Sequence, residues 1–517
     1  MRDGMRGAWS CLSAGFLVAL FALPMVDAAA PPFPTPPAPS AGPGWTVEPV
    51  AFHGGSAPPS LVLDTANRPH LQYCPPGEDW YVVRDGGSWA GELVAETVGG
   101  GVCGGIALGP GEVPYLLVAI PPDWDPGHRY LAVKNGLSWQ FIQRPNTAGS
   151  IVVDSAGVPH LIVALKSSST TWSLRYLSLS GALWTEEDIE LFPFGGASLG
   201  LSWGSMVLDA ADNPRVLYYE SVRGDVRYAF RDTSGWHVEV VEHIGALNIV
   251  GREGSLALDG AGNPHAAYTV RVTSQTVEVR YANRGGPGWI SEVVSEPPLS
   301  LGDGAFSPSL GFGPAGPVIA YVRIEQIDLA RVIYSADLRL AVSSAGTWSR
   351  ETVLDGFFDG TMRQGSVPQF PSLATDRCGN PRLAFYLGSD LNPGVFYATK
   401  GECVPTTATA TLRVEPRTLN LRSRGRWITA TVTLDSATAA DVDLASLAVD
   451  GIAPDRVQVL NDTAIQLKIP RGELIATLPD PPKFGVPVTL TLTGEWEDGG
   501  SFTAMDSIRV IRSGKTP

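Results

Sequence analysis

One short phrase returns seven times along this chain, and no other feature limits so sharply what it can fold into. Its clearest copy occupies residues 255–268 and reads SLALDGAGNPHAAY; the others begin at Ser60, Gly105, Ser150, Ser205, Ser309 and Ser372. Each copy reads as two strands about a tight turn, with apolar alternation, then Asp and Gly/Asn turn chemistry, then proline opening a second apolar run. Proline is tolerated there because the first residue of a strand need not donate to the ladder. A second phrase follows most copies, as at 279–294, and reads as two more strands around a glycine turn. With Asp64, Gly109, Asp154, Asp209, Asp259, Gly313 and Asp376 as equivalent points, the steps are 45, 45, 55, 50, 54 and 63 residues. Four strands per unit at a period of roughly 40 to 50 residues predicts an all-β chain built as a β-propeller.

The ends of the repeat agree with this. A tryptophan strand occurs at Trp45, Trp89, Trp139, Trp184, Trp236, Trp289 and Trp348; the first precedes the first repeat, and none follows the last. Seven four-stranded blades are complete only if the strand beginning at Trp45 supplies the outermost strand of the final blade. Residues 43–403 are therefore expected to form one seven-bladed propeller closed by an N-terminal strand, which removes exposed sheet edges.

The strand-turn-strand phrase resembles the GIAVDxxGNVYV unit of NHL-type repeats. The third turn, as in Arg84-Asp-Gly-Gly-Ser-Trp89, is similar to a degenerate sialidase-type Asp box, S-x-D-x-G-x-T-W. No copy carries that whole motif, so the resemblance implies an architecture and no activity. After a polar linker at 404–410 the blade phrase does not return. Residues 411–513 alternate as strands, with Glu497-Asp-Gly-Gly500 as a hairpin turn, and predict an antiparallel β-sandwich. This segment resembles a small C-terminal domain of secreted proteins that carries PxTLNLxSxGxWITA, matched here by Pro416, Thr418, Leu421, Ser423, Gly425 and the run from Trp427 to Ala430. That family implies no activity.

Residues 1–30 read as a secretory signal peptide: Arg2 and Arg6, an apolar run from Phe16 to Leu23, and small residues near Val26 and Ala28. A Pro-rich linker spans 31–42. The expectation is a secreted monomer, extracellular or periplasmic, with no membrane span in the mature chain. Its formal net charge of −15 and lack of basic runs argue against nucleic acid or anionic membrane as partner. Cys74, Cys103, Cys378 and Cys403 remain after cleavage, in a compartment where disulfides persist. Neighbourhood favours Cys74 with Cys103 and Cys378 with Cys403, the other two pairings staying open.

The repeated Asp64, Asp154, Asp209, Asp259 and Asp376 read as turn residues that hydrogen-bond the turn's own amides, because a catalytic carboxylate is needed once and these recur. His70, His160 and His265 share one place, filled elsewhere by Arg215, Arg382 and Tyr115, and read as polar contacts beside the turn rather than zinc ligands. The recurrent tryptophans are expected to pack between blades. Trp80, Trp124, Trp172 and Trp203 are read as lying off the repeat in connecting segments, where ligand binding is grafted onto a scaffold. Asp123 and Asp125 flank Trp124, a set suited to a sugar or a calcium ion. No cofactor is expected beyond weak structural calcium in Asp-rich turns. No G-x-S-x-G, H-E-x-x-H or phosphate loop occurs. The favoured function is a non-catalytic recognition or scaffold protein binding a polysaccharide or protein through propeller loops. The alternative is a glycan-processing propeller enzyme, a sialidase-like hydrolase or a lyase.

Overall fold

The computed structural model describes residues 40–511 apart from 53–57, 86, 97–103, 120–128, 145–147, 167, 169–170, 182, 194–203, 221, 246–253, 274–275, 286–287, 299–302, 329–332, 359–364, 390–392, 402–408, 436, 479–486 and 497–500. Among the described residues nearly everything is strand, with one α-helix at Arg471–Thr477 and one short 3-10 turn at Ala439–Asp441. No helix among the described residues is long and apolar enough to cross a membrane.

Each copy of the repeated phrase opens an antiparallel meander. The first runs Ser60–Leu63, Pro69–Tyr73, Glu78–Asp85 and Ser88–Glu96, and the second begins at Ile106–Gly109. The third and fourth begin at Ala148–Val153 and Gly204–Leu208, and these four units are separate four-stranded sheets. The fifth, sixth and seventh begin at Gly254–Leu258, Gly304–Gly313 and Gly365–Thr375, and they are not separate as the repeat had suggested. A parallel bridge from Val277 to Gly304 and a two-residue strand at Phe357–Phe358 join them into one thirteen-stranded sheet. The physical reason is length: the first strands of the sixth and seventh units run ten and eleven residues, against four or five in most others, and reach their neighbours' ladders. Trp45–Phe52 pairs antiparallel with Gly394–Lys400, Trp45 facing Lys400 and Phe52 facing Gly394.

Three layers of contact tie consecutive units together. At the first strands, a serine Oγ accepts the amide of the next unit: Ile106 N to Ser60 at 3.4 Å, Leu256 to Ser205 at 3.2 Å, Leu310 to Ser255 at 3.0 Å, Leu373 to Ser309 at 2.9 Å, and Leu61 to Ser372 at 3.1 Å. The last of these joins the seventh unit to the first. The buried apolar clusters likewise span pairs of units; one holds Leu217 and Tyr228 with Leu256 and Tyr268, and another holds Leu61 and Leu71 with Ala384 and Tyr397. Apolar burial at about 25 cal/mol per Å² makes this layer the main source of cohesion.

The outer layer is polar and reads W-x-x-E. Trp89 Nε1 donates to Glu48 at 3.1 Å, Trp236 to Glu187 at 3.1 Å, Trp289 to Glu239 at 3.1 Å, Trp348 to Glu292 at 2.8 Å and Trp45 to Glu351 at 3.3 Å. Each acceptor stands three residues after the tryptophan of the preceding unit. A cation opposite the tryptophan often takes the same carboxylate, as Arg231 does with Glu187 at 2.9 Å and Arg84 with Glu48 at 2.9 Å. Trp139 and Trp184 depart from the rule: Glu92 is held by Lys134 and the buried Trp139 Nε1 has no partner among the described residues, while Trp184 Nε1 donates to the Gln143 carbonyl at 2.9 Å because Ile142 stands in the glutamate's place.

From Thr409 onward two further four-stranded sheets form. One orders Thr409–Glu415, Trp427–Asp435, Ala464–Pro470 and Arg456–Asn461; the other orders Thr418–Asn420, Ser501–Ile511, Pro487–Trp496 and Val442–Val449. Their strands alternate buried and exposed residues, and the buried ones form one cluster from Leu412 to Val510 around Trp496 that includes no residue of the repeats.

Candidate functional site

The repeated turn is built the same way each time. Asp64 Oδ1 accepts the amides of Ala66 at 2.9 Å and Arg68 at 2.7 Å, while Oδ2 takes Arg68 Nε at 2.6 Å and His70 Nε2 at 3.2 Å. Asp154 repeats the pattern with Ala156, Val158 and His160. The fourth turn residue sits at positive φ in Asn67 (60°), Gly157 (82°), Asp212 (60°), Gly262 (80°) and Gly379 (75°). Only Gly, Asn and Asp adopt that backbone readily, which explains the Gly/Asn chemistry in the phrase. The carboxylate's acceptor positions are thus occupied by its own turn.

The histidine position now has a definite role. His70 Nδ1 lies 2.5 Å from Tyr81 Oη and His160 Nδ1 2.5 Å from Tyr176 Oη; His265 bonds Tyr281 in the same way and stands 3.4 Å from Asp259. With Nε2–H donating to the aspartate, a neutral ring has Nδ1 left to accept from the phenol. Burial is the main influence on His70 and His265 and pushes both below the ordinary imidazole value, the bonded aspartate opposing it. In the fourth and seventh units an arginine fills the place and donates to the same carboxylate, Arg215 to Asp209 at 2.6 Å and Arg382 to Asp376 at 2.5 Å. The position therefore requires a donor to the turn, and His and Arg satisfy it equally.

A second network recurs at three junctions between units. Tyr218 and Arg227 share Glu190, Tyr268 and Arg280 share Glu242, and Tyr321 and Arg339 share Glu296, the last pair at 2.7 Å each. Tyrosine, glutamate and arginine are the groups that a glycosidase with a tyrosine nucleophile would assemble. Their environment is unsuited to that work. Burial, with the adjacent glutamate, raises all three phenols far above their ordinary value, whereas a nucleophile needs a depressed one.

Trp80 and Trp172 do not lie in connecting segments, contrary to the sequence reading. Trp80 sits in the strand Glu78–Asp85, donates Nε1 to Glu78 at 2.6 Å and stacks on Tyr73 with ring centroids 6.3 Å apart. Trp172 sits in Thr171–Ser180 opposite Phe192 and packs against the buried cluster containing Tyr218. Polar or Pro-Gly residues just before each strand disguised its start: Pro75-Pro-Gly in one case, Ser167 to Thr171 in the other. Both rings are half-buried. Asp123, Trp124, Asp125, Trp203, Cys103 and Cys403 lie outside the described residues, as do the signal peptide and the 31–39 part of its linker. The sequence reading missed the role of the glutamate three residues after six of the seven tryptophans and of the serine heading six of the seven phrases; both recurrences were visible.

No family model matches the sequence, and no curated protein matches it. Among solved structures the chain is similar to the polysaccharide lyase Uly1, at 10% identity over 68% of this chain and 90% of that one, with a TM-score of 0.41. It is also similar to an endo-arabinase from Bacteroides thetaiotaomicron, at 13% identity over 49% of this chain and 92% of that one, with a TM-score of 0.29. Likeness at this level carries no argument about fold or chemistry, and both are argued from the chain's own residues.

Proposed function

We propose that residues 43–403 form a seven-bladed β-propeller, with Trp45–Phe52 as the outer strand of its last blade, and that residues 411–513 form a separate accessory sandwich. In support, the serine contact from Leu61 to Ser372 and the cluster joining Leu61 to Ala384 link the last unit to the first. We infer further that the protein is secreted and that its disulfides join Cys74 to Cys103 and Cys378 to Cys403.

The function we infer is non-catalytic recognition of a polysaccharide or protein by loops of this scaffold. One observation carries it: the titratable groups of the repeats are consumed by contacts that recur from unit to unit, as in the three tyrosine–glutamate–arginine sets. A catalytic centre is asymmetric and assembled once. The loop at 121–128 is the grafted feature to test. A glycan array probed with residues 31–517, with and without calcium and with product release monitored, should give binding without turnover, lost in Trp124→Ala. Turnover of any bound glycan overturns this reading.

A further inference from the structure

Cations in the repeats are largely spoken for by carboxylates, as Arg84 is by Glu48, Arg175 by Glu186 and Asp188, Arg215 by Asp209, and Arg284 by Glu239. The pattern reverses at one end of the sheet containing Trp427–Asp435. There Trp427 faces Pro470, Arg456 faces Lys468, and Lys468 faces Thr429. The guanidinium carbons of Arg426 and Arg456 stand 4.7 and 5.3 Å from the centre of the Trp427 ring. Trp427 Nε1 donates to Asp455 at 2.6 Å, which fixes the ring, and among the described residues Lys468 Nζ donates only to the Thr429 hydroxyl at 2.9 Å. The ion pairs of this part of the chain, Arg413 with Glu415 and Arg417 with Asp506, involve none of Arg426, Arg456 and Lys468. Beside them runs an open groove of about 430 Å³ lined by Trp427, Arg456, Val457, Gln458, Gln466 and Lys468.

We propose that this groove binds the carboxylate-bearing sugars of an acidic polysaccharide, a polyuronate. Two cations without carboxylate partners supply the sites for a sugar carboxylate, and a guanidinium suits a carboxylate by geometry as well as charge. Gln458 and Gln466 face each other across the strand pair and together offer donors and acceptors to hydroxyls, which a bare phosphate chain lacks. Single-stranded nucleic acid binds by stacking bases on exposed aromatic faces. Trp427 offers it little, because two guanidiniums already lie against the ring. The net charge of −15 repels polyanions at long range, so attraction is confined to this end of the sheet and falls with salt. The groove is built from residues other than those of the segment 121–128 and stands or falls independently of the reading above.

The test is calorimetric titration of residues 31–517 with polygalacturonate, with its fully methyl-esterified form and with single-stranded DNA, at low and physiological salt. Polygalacturonate should bind, the ester should bind at least about tenfold more weakly, and salt should weaken binding. The double variant Arg456→Gln, Lys468→Gln should lose about tenfold or more with an unchanged melting temperature, while Arg456→Lys, Lys468→Arg retains binding. Trp124→Ala, which tests the loop reading, should leave polygalacturonate binding intact. No binding of polygalacturonate at low salt, equal binding of the ester, DNA binding as tight as polygalacturonate, or unchanged binding by the double Gln variant would each overturn the assignment.

Discussion

The repeats and the C-terminal sheets use charge in opposite ways. Between repeat units, carboxylates and cations meet in half-buried sets such as Glu242 with Tyr268 and Arg280, where each group completes another. At the Trp427 end of the C-terminal sheet, cations face solvent beside an aromatic ring and an open groove. Paired, desolvated charge fixes which surfaces of a scaffold meet, whereas exposed charge contributes little to stability and stays available to a ligand. The contrast assigns assembly to the first set and recognition to the second.

The largest expected effect tests whether the two regions are separate at all. Trp496→Ala empties the centre of the C-terminal cluster, where the ring is 1% exposed, and should cost about 4 kcal/mol. Scanning calorimetry should show a lowered C-terminal transition and an unmoved repeat transition; a common shift of both would join the regions into one cooperative unit. Next comes Glu242→Ala, which removes the acceptor of Tyr268 and leaves Arg280 with Glu278 between the fourth and fifth units, and should cost about 2 kcal/mol by urea unfolding. Tyr268→Phe leaves the carboxylate with its arginine and should cost only about 1 kcal/mol. If the two substitutions cost the same, the glutamate is not the hub of the set.

Acid provides a third probe. Burial holds His70 and His265 below the ordinary imidazole value, so the unfolded chain binds more protons than the native one as pH falls through about 6.5. The stabilising contribution is complete above that pH and is lost below it. Stability measured by urea unfolding should therefore fall between about pH 7.5 and 5.5, and the slope should flatten in His70→Gln, His265→Gln. Asp259, lowered to about 2 by bonds from its own turn and from His265 that outweigh its burial, adds a second acid-side loss. That contribution is present above the unfolded value near 4 and disappears as pH falls through about 2. The smallest effect is the counterpart at the other region: Arg456→Gln, Lys468→Gln should change stability by less than about 0.5 kcal/mol. A larger loss would mean that those cations are structural after all.

Much of the scaffold was legible because the repeat writes its contacts at fixed offsets. The turn aspartate, the left-handed residue three positions on and the proline all declare themselves locally, since they interact within a few residues. The tryptophan and the glutamate three positions later were equally visible as a pattern, but their partners lie a whole unit away: Trp289 bonds Glu239, not Glu292. A sequence shows the recurrence of such a residue without showing which neighbour it meets. Trp80 and Trp172 were misread for another reason, since a polar or Pro-Gly approach looks like loop until pairing extends the strand. The fusion of the last three units followed from strand length, which periodicity alone does not determine. The groove at Trp427 is drawn from residues on three strands, which no local pattern in the sequence brings together.

The pairing of Trp45–Phe52 with Gly394–Lys400 also sets a schedule. A strand made before all seven repeats waits for a partner made with the last of them, so no intermediate length of chain can complete that sheet. While it waits, its backbone donors and acceptors form an open template for other chains, and the pairing itself carries the long loop closure that slows folding. The step most exposed to misassembly therefore falls at the moment when the last repeat arrives.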